Sequence, residues 1–76
     1  MVDYRKVLAL NVRMIRKQHG LSQEELALEA GIDRTYISGI ERGTRNPSLD
    51  VMVLLARTLR CTLSELVREP APEADQ

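Results

Sequence analysis

Between Leu21 and Pro47 the chain reads LSQEELALEAGIDRTYISGIERGTRNP, and this run limits the possible folds more than any other. It contains two helix starts and two helix stops. Ser22 and Glu25 spell an S-x-x-E capping box, in which each side chain satisfies the other residue's free backbone N–H. Gly31 is a stop, because it takes the left-handed conformation without steric cost. Asp33 is an acid well placed to cap a second helix, and Gly43 ends that helix. Two helices joined so tightly must cross closely, and Ala27 offers the small residue such a crossing needs. Leu26, Ile32, Ile37 and Ile40 would hold both helices on a common core.

The flanking segments also read as helix. Leu8, Val12 and Ile15 make one buried stripe on a first helix from about Tyr4 to His19, with Gly20 as its left-handed stop. A fourth helix is expected from about Ser48 to Leu59, following Pro47. A fifth starts at Thr62, where Thr62 and Glu65 form a second capping box. No segment alternates with period two, so no strand is expected. The fold class is all-α: a compact five-helix bundle over residues 1–68, followed by an acidic, Pro-containing tail, 69–76, expected to be mobile.

Composition narrows the function. Seventy-six residues make one small domain with a marginal core. Cys61 is the single cysteine and His19 the single histidine, so no intrachain disulfide and no metal-ligand cluster is expected. Cys61 lacks a partner base and reads as a packing residue. The longest apolar run, Val51–Ala56, is too short to span a bilayer, and Met1–Arg5 does not open a secretory signal; a cytoplasmic protein is expected. Eleven Lys/Arg balance eleven Asp/Glu. Three of those acids, Glu69, Glu73 and Asp75, lie in the tail, which leaves the rest of the chain net basic.

The central run is the sequence form of a helix-turn-helix, which lays its second helix in the DNA major groove. That helix has a thin apolar edge and a polar face. Arg34 can donate two hydrogen bonds to guanine O6 and N7, worth about 1–3 kcal/mol of discrimination. Thr35 and Ser38 can meet base edges or a thymine methyl, and Gly39 would let the duplex come close. Phosphate contacts are expected from the start of the preceding helix, Ser22 and Gln23, from Tyr36, and from Arg42, Thr44, Arg45 and Asn46. No catalytic cluster and no cofactor motif is present, so an enzyme is not expected. With Tyr4 and Tyr36 as the only aromatic residues, RNA stacking is disfavoured.

On LSQEELA, the AGI turn, YISGIERG and PSLDVMVLLARTL, the chain resembles the Cro/C1-type (XRE) helix-turn-helix regulators from about Val12 to Leu66. DRTYISGIERGTRNP is also similar to the small controller proteins of restriction–modification systems, homodimeric regulators of their own operon. The resemblance implies a lambda-repressor-like fold. It also implies a partly buried ion pair between Arg16 and Glu41, which would make Glu41 structural. Two positions depart from the pattern: Arg60 stands where a Gly usually ends the fourth helix, and Cys61 replaces a small apolar residue.

The fourth helix carries more apolar residues than one face can hold. Leu49, Met52, Leu55, Ala56 and Leu59 fit an inward face, while Val51 and Leu54 point elsewhere. A homodimer through the fourth and fifth helices is therefore expected, using Val51, Leu54, Leu63, Leu66 and Val67. The reading is a dimeric, sequence-specific binder of a double-stranded DNA operator with inverted-repeat symmetry. The alternative is a protein-interaction module such as an antitoxin-like partner. No residue points to or against contact with RNA polymerase.

Overall fold

The computed structural model describes residues 1–70. Five helices follow one another: α1 (Tyr4–Gln18), α2 (Gln23–Ala30), α3 (Arg34–Glu41), α4 (Leu49–Thr58) and α5 (Leu63–Leu66). No strand occurs among the described residues.

Each start is fixed by a side-chain cap. Asp3, Ser22, Asp33, Ser48 and Thr62 accept a hydrogen bond from a backbone N–H of the first turn they precede. Both expected capping boxes are closed. Ser22 Oγ accepts from Glu25 N at 3.0 Å while Glu25 Oε1 accepts from Ser22 N at 2.8 Å. Thr62 and Glu65 repeat the arrangement. These backbone and hydroxyl hydrogen bonds hold the Glu25 and Glu65 carboxyls below the ordinary carboxylate range.

The stops share one geometry. After α1, α2, α3 and α4 a residue with positive φ turns the chain, and the next N–H reaches back five residues. These bonds run from Leu21 N to Arg16 O, Ile32 N to Ala27 O, Thr44 N to Gly39 O and Cys61 N to Ala56 O, at 2.9–3.1 Å. Such bonds satisfy carbonyls that the helix end would otherwise orphan. Three of the turning residues are glycines, Gly31 at φ 69° among them. The fourth is Arg60 at φ 54°, a left-handed conformation that costs a non-glycine residue about 1 kcal/mol.

The core lies between α1, α3, α4 and α5, with α2 closing one side. Val12, Leu26, Ile37, Ile40, Leu55, Leu59 and Leu66 are fully buried. Cys61 is half-buried against this cluster, and burial pushes its thiol pKa up. Asn11 is a buried polar side chain in α1. Its Nδ2 donates to Leu66 O at 2.8 Å and Arg68 O at 2.9 Å. α5 is a single turn without a glycine stop, and Asn11 satisfies the carbonyls at its end.

Two expectations are corrected by the packing. Leu66 is fully buried in its own chain, so it has no surface to give a partner. Leu49 does not face inward: it lies at the first position of α4 and is 63% exposed. At the start of the tail, the Tyr4 hydroxyl donates to Glu69 Oε2 at 2.6 Å. Residues 71–76 of that tail lie outside the described residues. α1 also leaves Leu10 and Met14 exposed, which the apolar stripe did not foretell.

Candidate nucleic-acid interface

Helix α3 is anchored along one edge by Ile37 and Ile40. Successive residues turn by about 100°, so the side opposite that edge carries Thr35, Gly39 and Arg42, flanked by Arg34, Ser38 and Tyr36. Arg34, Thr35 and Arg42 are exposed; Ser38 and Tyr36 are half-buried. Arg34 is the first residue of the helix, and the N-terminal part of a recognition helix is the part that nears the bases.

The end of α3 is tied to α1 by a buried ion pair. Arg16 Nε donates to Glu41 Oε2 at 2.6 Å and Nη2 donates to Oε1 at 2.9 Å. The two side chains are only 10% and 4% exposed. Two further bonds complete the arrangement. Arg16 Nη1 donates to Leu21 O at 2.8 Å, and Gln23 Nε2 donates to Glu41 Oε1 at 3.0 Å. Burial alone would raise the Glu41 pKa. Hydrogen bonds from Arg16 and Gln23, with the charges of Arg16 and Arg13, outweigh it and hold the carboxyl below its ordinary range. Arg16 is held above its own ordinary value, chiefly by its hydrogen bonds to Glu41. One carboxylate thus joins α1, the start of α2 and the end of α3.

Several residues expected to touch DNA have partners within the chain. Gln23 donates an amide hydrogen bond to Glu41. Ser22 completes the capping box, which leaves the N–H groups of Gln23 and Glu24 as the open donors at the start of α2. Thr44 Oγ1 donates to Gly39 O at 3.1 Å, so its hydroxyl proton shapes the loop. Arg42 Nη1 donates to Ser38 Oγ one turn earlier, placing these two side chains together on the outward face.

Gly39 is buried under the side chain of Arg45. A Cβ at position 39 would stand 2.7 Å from Arg45 Cγ and 3.1 Å from Nε. The Arg45 guanidinium lies over the Tyr36 ring, 5.1 Å from its centroid, in a cation–π arrangement. The outward face is therefore built from α3 and from the loop after it. A glycine inside a helix announces a close approach, but the sequence alone does not say which group approaches.

The match to known proteins covers the same region. Residues 12–66 match the helix-turn-helix (HTH_3) family. The chain is 37% identical over 75 residues to control protein C.SmaI of Serratia marcescens, covering 99% of this chain and 89% of that protein. Its fold superposes on the hypothetical transcription factor NHTF from Neisseria with a TM-score of 0.85 and 42% identity, over 88% of this chain and 77% of that one. It is also similar to the restriction–modification controller protein C.Esp1396I, solved as a tetramer with its natural 35-base-pair operator. There the TM-score is 0.75 and the identity 29%, over 90% of this chain and all of the other. The chain belongs to the helix-turn-helix family of transcriptional regulators.

Proposed function

We propose that the protein binds double-stranded DNA sequence-specifically as a dimer, with α3 in the major groove of each half of an inverted repeat. The observation that carries this reading is the outward face of α3. Arg34 and Thr35 stand exposed at its start, opposite the buried Ile37 and Ile40, on a helix whose far end is braced by Glu41. A helix held at both ends presents its side chains in one orientation, which base reading requires. The operator complex of the related C.Esp1396I supports the same use of the fold. Two-fold symmetry would set the two α3 helices about 34 Å apart, one turn of the duplex.

Within this reading Arg34 and Thr35 read bases, and Ser38 with Arg42 presents a joined pair beside them. Tyr36 and Arg45 act as one unit at the edge of the groove. Asn46 and the open N–H groups of α2 take phosphates. Selection from random duplex DNA tests the whole scheme. The unsubstituted protein is expected to yield a two-fold symmetric consensus. Arg34→Ala is expected to relax preference at one base pair of each half, by about 1–3 kcal/mol. Recovery of no consensus would refute DNA reading and favour a protein partner.

A further inference from the structure

The chain has no net charge, yet its cations are not evenly placed. The first turn of α1 packs beside the loop that follows α3. A Cβ on Gly43 would lie 3.8 Å from Arg5 O, 3.9 Å from Lys6 Cγ and 4.0 Å from Lys6 Cα. Asn46, in the same loop, shares an open cleft of about 400 Å³ with residues 1–5. The fold thus brings Arg5 and Lys6 beside the loop that follows Arg42 and carries Arg45, although they are far from it in sequence. Arg5, Lys6, Arg42 and Arg45 are all exposed.

Two acids, Asp3 and Glu69, make hydrogen bonds with the first turn of α1. Asp3 caps α1 by accepting from Arg5 N at 3.1 Å, and its ion pair with the Arg5 guanidinium is a 3.6 Å contact between exposed groups. Such a pair is worth little and yields readily to another anion. Glu69 accepts the Tyr4 hydroxyl. Lys6 makes no ion pair among the described residues.

We infer that Arg5 and Lys6 form a second contact surface for the phosphodiester backbone of duplex DNA, continuous with the loop 43–46. This rests on the proposed DNA reading and extends it to a helix outside the helix-turn-helix. The surface carries no base information, because it is made of two exposed cations that meet phosphates as charges. Its expected effect is on affinity and salt dependence, since each phosphate neutralised by a cation contributes about 0.9 to the slope of log K against log salt.

The test uses the full chain and a duplex bearing the consensus that the unsubstituted protein selects. Arg5→Ala combined with Lys6→Ala should lower the magnitude of the slope by about two units per bound chain and leave the consensus unchanged. Arg5→Lys combined with Lys6→Arg should restore the slope. Arg57→Ala, which removes an exposed cation from α4, should leave it unchanged. An unaltered slope in the double alanine variant, with its melting temperature intact, would overturn the inference while the DNA reading stands. An equal loss in Arg57→Ala would overturn it too, by showing a general charge effect. If the unsubstituted protein binds no duplex, the DNA reading and this inference fall together.

Discussion

Arg16→Ala is expected to lose about 3–5 kcal/mol of folding stability, because it leaves the Glu41 carboxylate buried without its cation. Glu41 is 4% exposed in its side chain and receives two hydrogen bonds from Arg16, which one substitution removes together. The Leu21 carbonyl loses its donor in the same step. Gln23 keeps one bond to Glu41 but carries no charge to offset it. For a domain of this size each kcal/mol moves the melting temperature by about 4–8 °C, so a drop of roughly 12–40 °C is expected by circular dichroism. Replacing both partners by apolar residues, Arg16→Met with Glu41→Leu, should cost far less, since no charge is then stranded. A single Arg16→Ala that melts within a few degrees of the unsubstituted protein would show that the pair does not brace α3.

The same carboxylate sets an acid limit. Its pKa is lower in the folded chain than in the unfolded one, so the unfolded state takes the proton first. The stability due to the pair is therefore fully present above the ordinary glutamate pKa, near pH 4.3, and is lost as pH falls below it toward the folded value. Arg16, already a strong base and held higher still, stays charged throughout. Glu25 and Glu65 are depressed in the same direction by their capping bonds and add to the trend. The measurement is accordingly a difference. Melting temperatures of the unsubstituted protein and of Glu41→Gln should converge as pH falls below about 4.3. Parallel curves would show that Glu41 contributes no pH dependence.

The fold was legible in the sequence because its punctuation is local. Ser22, Asp33, Ser48 and Thr62 cap by reaching their own first turns, and Gly20, Gly31 and Gly43 turn the chain where φ must be positive. Even the Arg60 departure could be read, since the position demands a left-handed residue whichever side chain fills it. The site was less legible because its side chains answer to partners distant in sequence. Gln23 faced the start of α2, where a phosphate was expected, but Glu41 lies eighteen residues away and takes its amide. Gly39 was read as room for the duplex, and within the chain it is the Arg45 side chain that lies against it. Asn11 gave no periodic signal, because a polar residue on an apolar stripe shows its purpose only when the α5 carbonyls are in place. Leu49 and Leu66 were assigned from helical spacing, which gives the angle between side chains but not which arc of a helix its neighbours cover.

Leu54→Glu is expected to abolish the proposed dimer and to weaken operator binding by about 10²–10⁴-fold, the loss that follows when linked half-sites must be bound separately. Leu54 is 41% exposed on α4, with Val51 half-buried one turn before it and Leu63 and Val67 half-buried on α5. These four remain from the five residues expected at the interface, and Leu49, 63% exposed, joins them as further apolar surface on α4. Leu66 is removed from the set because the core already covers it. That distinction makes the substitution informative. A charge at Leu66 would destroy the monomer and teach nothing about association, whereas Leu54 carries exposed surface that the monomer does not need. Surface substitutions of this kind alter stability by about 0.5 kcal/mol or less, so the melting temperature of the dilute monomer should barely change. Sedimentation velocity should show one species at the monomer mass across the micromolar range. On the selected duplex, binding should become stepwise, one half-site at a time. If Leu54→Glu sediments as the unsubstituted protein does and keeps its operator affinity, association does not run through α4. The exposed Leu10 and Met14 on α1 would then be the next apolar surface to test.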